Sequence, residues 1–311
     1  MIHPEQSLSL EVRKRPSRIH ENIVDRLYLC GVYLFLTVCL IIVAYPLIYI
    51  VSSSFSSSSA VISGKVWLLP VEPTLRGYKA VFQNPQIVTG YSNSLFYLFF
   101  GTLLSVILTI TAAYPLSRKS FYGRNVITAL FIFTMLFNGG LIPYYLTVKG
   151  MGMLDTRWAM IIPGAISVWQ VILARTFFQT SIPSELTEAA HLDGCSDFKF
   201  LLRIVIPLSK PIIAVLVLMY AIGYWNSYFE ALIFLKSAKL YPLQLILRNI
   251  LILNSIDPTM VKDVKELADR QGLKELLKYS LIIVASAPVL ILYPFVQQHF
   301  VKGLLIGSLK G

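Results

Sequence analysis

Two groups of residues have types and spacings that could do chemistry. The first lies in Ile182–Pro211, where Glu185, Glu188, His191, Asp193, Asp197, Lys199, Arg203 and Lys210 interrupt an otherwise apolar sequence. With Ser181 as N-cap, Pro183 in the first turn, Glu185 and Glu188 near the positive end of the dipole and Gly194 as terminator, this stretch predicts a helix of about three turns. Leu186, Ala189, Ala190 and Asp193 fall at i, i+3, i+4 and i+7, one face, and the two alanines keep that face low enough for a groove wall to approach the backbone. Its chemistry is contact with a partner. The second group is Trp225, Asn226, Tyr228, Phe229 and Glu230. Aromatic faces, an amide and an acid are what a sugar path needs, yet helix packing and an interfacial aromatic belt explain the same residues equally well.

Other chemistries find no support. His3, His20, His191 and His299 have no ligand spacing, and Cys30, Cys39 and Cys195 form neither a metal set nor a disulfide framework, so no metal site is expected. No serine, histidine and acid arrangement is visible, so the chain is not expected to be an enzyme. A Gly-rich phosphate loop ending in Lys-Ser or Lys-Thr is also missing, which leaves the chain without a cofactor or a nucleotide motor of its own. The net charge of +11 does not form one basic stripe with interleaved aromatics, which argues against nucleic acid.

The elements that must position these residues are membrane spans. The 311 residues are 56% hydrophobic and 14% charged, with mean hydropathy +0.67, whereas soluble chains carry about 25% charged residues. An all-α polytopic protein in contact with membrane lipid follows. Residues 1–26, with Arg13, Lys14, Arg15, Arg18 and Arg26, read as a basic cytoplasmic tail rather than a cleavable signal. Six spans are expected over 27–302: Leu27–Val51 with a bend at Pro46, Leu95–Ala113, Val126–Tyr145 loosened by Asn138-Gly139-Gly140 and Pro143, Trp158–Phe178, Ile212–Leu235 and Tyr279–Phe300. Ser52–Ser94 and Lys236–Lys278 become external segments. Lys and Arg divide almost evenly between the two sides, so orientation rests on the tail and on Arg118, Lys119 and Arg124 in a short loop. Both termini and the 182–206 helix region then face the cytoplasm. After Gly194, Ser196-Asp197 should cap a second helix through Arg203, and Pro207 and Pro211 should stiffen the entry to the fifth span.

The spacing in this region is specific. Glu188-Ala189-Ala190, three residues, Gly194, nine residues, then Ile204-Val205-Ile206-Pro207 resembles the EAA loop of ATP-binding-cassette (ABC) importer permeases, departing where the family commonly has Leu in place of Ile206. Tyr224-Trp225-Asn226 to Leu235 and the ending from Phe300 to Gly311 resemble carbohydrate permeases related to the maltose permease, most closely an oligosaccharide or polysaccharide-fragment, YtcP-like branch.

The resemblance implies a type I ABC importer permease fold and a multi-pass subunit of the bacterial cytoplasmic membrane. It implies a cytoplasmic coupling helix docked in a cleft of an ATPase dimer through Glu188, Ala189, Ala190, Asp193, Gly194, Ile204 and Pro207. The tail 303–311, with Gly303, Gly307, Lys310 and Gly311, would reach toward that ATPase, which holds the ATP and Mg. A second permease subunit, an extracytoplasmic solute-binding protein and an oligosaccharide substrate complete the expected set. Two alternatives stand beside this reading: an ion-coupled secondary transporter, and an ABC importer permease for a non-sugar substrate such as peptide.

Overall fold

A computed structural model describes residues 22–250, 272 and 275–291. The expected tail within 1–21, residues 251–271 of the expected external segment, the distal part of the sixth span, His3, His20, His299 and Gly303, Gly307, Lys310 and Gly311 lie outside the described residues. All regular structure among the described residues is helical. The chain divides into two compact units, residues 1–49 and 50–311.

The first unit is built on α1, Ile23–Ser54, which runs on into the second. Asn22 opens α1: its Oδ1 accepts from the Ile23 amide and its own amide donates to Asp25 in the first turn. From Ile23 to Ile48 the helix exposes apolar side chains on every face, as a helix made to stand in lipid or against another subunit does.

The second unit opens on the serine run, which the sequence places in a loop. Ser52, Ser53, Ser54 and Ser56 are buried. The Ser52 hydroxyl donates to the Leu68 carbonyl at 2.7 Å, and the Val71 amide donates to Ser56 Oγ at 3.0 Å. Two short helices follow, α2 (Ser58–Ile62) and α3 (Arg76–Gln83). The spine is α4, Pro85–Ser117, which begins ten residues before the expected second span because Asn84 caps it, accepting from the Gln86 amide at 3.0 Å with Pro85 in the first turn.

Neither of the next two expected spans is one continuous helix. In place of one helix over 126–145, α5 (Arg124–Leu136) and α6 (Leu141–Gly150) meet at 115°. Asn138 accepts from the Gly140 amide and Gly140 sits at φ +84°, so the turn signals end the helix rather than merely loosening it. In place of one helix over 158–178, α7 (Trp158–Ile161) and α8 (Val168–Ser181) flank a non-helical stretch that contains Pro163. Then come α9 (Ser184–Leu192), α10 (Asp197–Phe200), a π-helical turn Leu201–Val205, α11 (Ile206–Leu208) and α12 (Lys210–Trp225). The expected fifth span also stops short: α12 ends at Trp225 and α13 (Phe229–Phe234) restarts after Asn226–Tyr228. A 3-10 turn Ala238–Leu240, α14 (Leu243–Arg248) and α15 (275–291) complete the described chain.

Two described helices, α1 and α4, are long and apolar enough to cross a membrane. The count rises to four if the α5–α6 pair and the Asp197–Leu208 plus Lys210–Trp225 pair each make one span.

The spine packs against α8, α12 and α14. Along it Tyr97, Gly101, Ser105 and Thr109 recur every fourth residue, giving a small and polar stripe within an apolar helix. This stripe receives α12. Gly101 permits close approach, since a Cβ there would lie 2.5–2.7 Å from the Tyr224 ring. At the N-terminal half of α4, Asn93 donates to the carbonyls of Lys239 and Tyr241, and Tyr97 donates to that of Leu240 at 2.8 Å. The C-terminal half shares a core with α8–α12, in which Ala113, Ala174, Phe200, Val205 and Leu216 are inaccessible to solvent.

Candidate functional site

The polar region folds as two elements rather than one uniform helix. Ser181 is the last residue of α8, not an N-cap; Pro183, at φ −58° and ψ 146°, occupies the capping position of α9 without a side-chain bond. The far end is fully capped. The Gly194 amide donates to the His191 carbonyl at 3.0 Å and the Cys195 amide to that of Ala190 at 2.9 Å, with Gly194 at φ +71°. This paired arrangement is a Schellman cap and needs a left-handed residue at its centre.

The face expected to be flat and free is divided. Ala190 is buried in the core that also holds Tyr114, Phe178 and Phe200. Thr187, one turn earlier, accepts from Arg118 Nη1 at 2.8 Å. The outward face carries Glu185, Glu188, Ala189 and Leu192, at i, i+3, i+4 and i+7, with Leu186 and Asp193 beside them; Leu192 is 90% exposed. Ala190 is therefore an anchor, and Leu192 belongs to the free face that the sequence reading assigned without it.

Arg118 is a positioning residue that the sequence reading used only as an orientation marker. Its guanidinium carbon sits 4.7 Å from the centre of the Tyr114 ring and 5.4 Å from that of Phe200. Together with the Thr187 bond, these contacts clasp the end of α4 to α9 and α10. Nearby, Arg175 Nε donates to the Leu116 carbonyl at 3.0 Å, so this side chain braces α8 against α4 as well as reaching the helix end. A cavity of about 480 Å³ opens beside the clasp, lined by Tyr114, Arg118, Phe121, Asp197, Phe198 and Leu201 among others. At its edge Asp197 meets His191 Nε2 at 3.1 Å.

Beyond the clasp the chain turns sharply. Residues 197–208 and α12 meet at 84° at Ser209, which is fully buried. Pro207 has no N–H to give the Arg203 carbonyl, and the backbone passes through the π-helical turn at that point. Ile204 packs on the shared core and Pro207 is exposed.

The second group of predicted residues is only partly together. Trp225 is 1% exposed, donates through Nε1 to the Ala285 carbonyl at 2.9 Å and lies edge-on to Tyr91. Its ring is a core component among the described residues, which supports the packing reading of this residue. Asn226 folds back to the Ile222 carbonyl at 2.9 Å, and Tyr228 and Phe229 are exposed and meet edge to face. Glu230 of the group lines a cavity of about 250 Å³ shared with Tyr144, Ser167, Gln170, Tyr220, Tyr224 and Ser227.

The architecture of that cavity follows from two tyrosines one turn apart on α12. Tyr224 donates to the Ile161 carbonyl at 3.0 Å, which leaves Ser105 to donate to Tyr224 at 3.0 Å. Tyr220 accepts from the Ser167 amide at 3.1 Å and shares a 2.6 Å bond with Thr109. Ile161 ends α7 and Ser167 precedes α8, so these hydroxyls satisfy backbone groups at both lips of the broken span. Irregular backbone at membrane depth requires such partners. Gln170 Oε1, also on the lining, is buried without a hydrogen-bond partner. The sequence carried a signal for all this in the four-residue stripe of α4 facing Tyr220 and Tyr224.

The family of binding-protein-dependent transport system inner membrane components matches residues 17–306. The chain is 40% identical over 288 residues to the polygalacturonan/rhamnogalacturonan transport system permease protein YtcP of Bacillus subtilis, covering 92% of this chain and 99% of that one. To protein LplC of the same organism it is 41% identical over 267 residues, 86% and 89% of the two chains. A solved bacterial ABC transporter involved in the import of the acidic polysaccharide alginate contains a chain that superposes with a TM-score of 0.85 at 34% identity, over 91% of this chain and all of that one. A helical chain built on broken spans, with an anchored amphipathic helix between α8 and α12, thus belongs to the binding-protein-dependent transport system inner membrane components, the membrane-embedded permease subunits of ABC importers.

Proposed function

We propose that this chain is one of two permease subunits of an ABC importer that brings oligosaccharide fragments of polysaccharides across the inner membrane. A solute-binding protein delivers the sugar outside. Inside, the outward face of α9 docks in a cleft of the ATPase dimer, with Glu188, Ala189, Asp193 and Gly194 at the contact, Ala190 holding the helix from behind, and Ile204 and Pro207 carrying its motion to the elbow. The C-terminal residues Gly303, Gly307, Lys310 and Gly311 reach toward the same dimer, which supplies ATP and Mg, and both termini lie in the cytoplasm.

The observation that carries this reading is the division of α9: one face is fixed by Arg118, Ala190 and the Gly194 cap, while the opposite face, rich in carboxylate, is left free. A helix held that way moves as a rigid body with whatever grips its free face. The cavity beside Tyr224 supplies aromatic and hydroxyl groups to the sugar path. Its volume of about 250 Å³ is below the ~300–1,000 Å³ of closed small-molecule sites, as suits a path whose opposite wall comes from a second subunit.

Glu188→Lys in the assembled transporter tests the docking. In the docked state Glu188 would pair with a basic residue of the ATPase, and removing one partner of a desolvated charge pair costs several kcal/mol. Insertion should persist and substrate-stimulated ATP hydrolysis should be lost; normal stimulation would refute the assignment. Uptake in proteoliposomes that ignores ionophores and requires ATP separates this reading from ion-coupled transport.

A further inference from the structure

The charge pattern of the Tyr224 cavity bears on which saccharides can pass, an inference that rests on reading the chain as an oligosaccharide permease. Of the twelve described residues that line it on this subunit's side, Glu230 alone is charged, and no Lys, Arg or His is among them. The remaining polar groups are neutral. The hydroxyls of Tyr220 and Tyr224 are already engaged with Ser167 and Ile161. Left for a guest are the Glu230 carboxylate, the unpartnered, buried Oε1 of Gln170 and the hydroxyl of Tyr144, which can accept or donate.

A neutral sugar meets these acceptors with hydroxyl donors. An ionised uronate carboxylate can accept from the Tyr144 hydroxyl, but it has no proton to donate to these acceptors and adds a like charge beside Glu230. We propose that this cavity selects uncharged oligosaccharides and disfavours uronate-bearing ones, with Glu230 as the specificity-determining residue. The chain would then differ in substrate charge from relatives whose names carry polygalacturonan, and from the transporter of the acidic polysaccharide alginate. Repulsion between like charges a few ångströms apart, only partly screened by water, should weaken binding by about tenfold or more.

The test uses the transporter copurified through a tag on this chain, with its companion permease and ATPase, in nanodiscs. Equilibrium dialysis with radiolabelled galactotriose, trigalacturonate and the methyl ester of trigalacturonate separates charge from shape, because the acid and its ester share a skeleton. Wild type should bind the ester about tenfold or more tightly than the acid. Glu230→Gln should shrink that ratio toward one, and Glu230→Lys should invert it, in samples that retain the ATPase. Equal binding of acid and ester by wild type, or a ratio unmoved by Glu230→Gln, overturns the charge inference while leaving an oligosaccharide permease intact. Binding of none of the three sugars removes the oligosaccharide reading, and the inference with it.

Discussion

Tyr220 makes two hydrogen bonds at once, with Thr109 on α4 and with the Ser167 amide at the start of α8. Phenylalanine keeps the ring and loses both. An isolated buried N–H costs about 1–3 kcal/mol, more than the bond itself contributes when its partner can turn to water. Tyr220→Phe should therefore lower the thermal midpoint of the detergent-solubilised protein more than Thr109→Val, which leaves the Ser167 amide its acceptor. Equal effects would show that the broken span is held by other contacts. Individual residues were unevenly legible. Gly194 announced its left-handed turn because the requirement is local to one φ angle. Trp225 gave no such notice: an indole in a span reads alike as belt, path or core, and its bond to the Ala285 carbonyl comes from a helix 60 positions later.

Among elements, α9 depends most on its C-terminal cap. Space does not dictate glycine at position 194, where nothing lies within 4 Å of an added Cβ; the backbone angle alone does. Gly194→Ala should cost about 1–2 kcal/mol. The expected readout is faster hydrogen exchange at the Gly194 and Cys195 amides, with Gly194→Asn recovering part of the loss because Asn tolerates this conformation. Matching exchange in the Ala and Asn variants would count against the cap.

A second element-scale feature joins the turns around 155 and 236. Asp155, at φ +57°, accepts from the amides of Lys236 and Ser237 at 2.9 and 2.8 Å and from the Ser237 hydroxyl. The Ser237 hydroxyl first, and then these amides, hold its carboxyl below the usual range. A depressed folded-state pKa means the clasp contributes above the ordinary carboxylate value of about 3.9 and is lost as pH falls through the lower folded one. Protection of the 236 and 237 amides should hold at neutral pH and fade only under strongly acidic conditions, and Asp155→Asn should flatten that dependence. The breaks in the expected third, fourth and fifth spans illustrate why helix ends within apolar segments are hard to foresee. Asn138-Gly139-Gly140 marked one, whereas that at 162–167 is held by Tyr220 and Tyr224, whose bonding is set by the tertiary fold, and at 226–228 Asn226 bonds locally to the Ile222 carbonyl.

At the scale of the whole molecule, the fold class was readable from composition because a bilayer admits few architectures, and α1 and α4 meet the length and polarity that a span demands. The sequence placed a proline-stiffened link at Pro207 and Pro211, but no local pattern specifies the 84° elbow at Ser209. In the proposed importer, force enters at the free face of α9, passes through the Arg118 clasp and the π-helical turn, and reaches α12, whose Tyr220 and Tyr224 hold the lips of the cavity. Rigidity at the elbow is then a requirement for coupling and not for docking. Inserting two glycines after Ser209 relaxes the elbow while leaving the α9 surface as it is. The assembled complex should still retain its ATPase through copurification, yet sugar uptake in proteoliposomes should fall by at least tenfold. Uptake at the wild-type rate would mean that movement of α9 reaches the path by another route, through α4 and Arg118 rather than through α12.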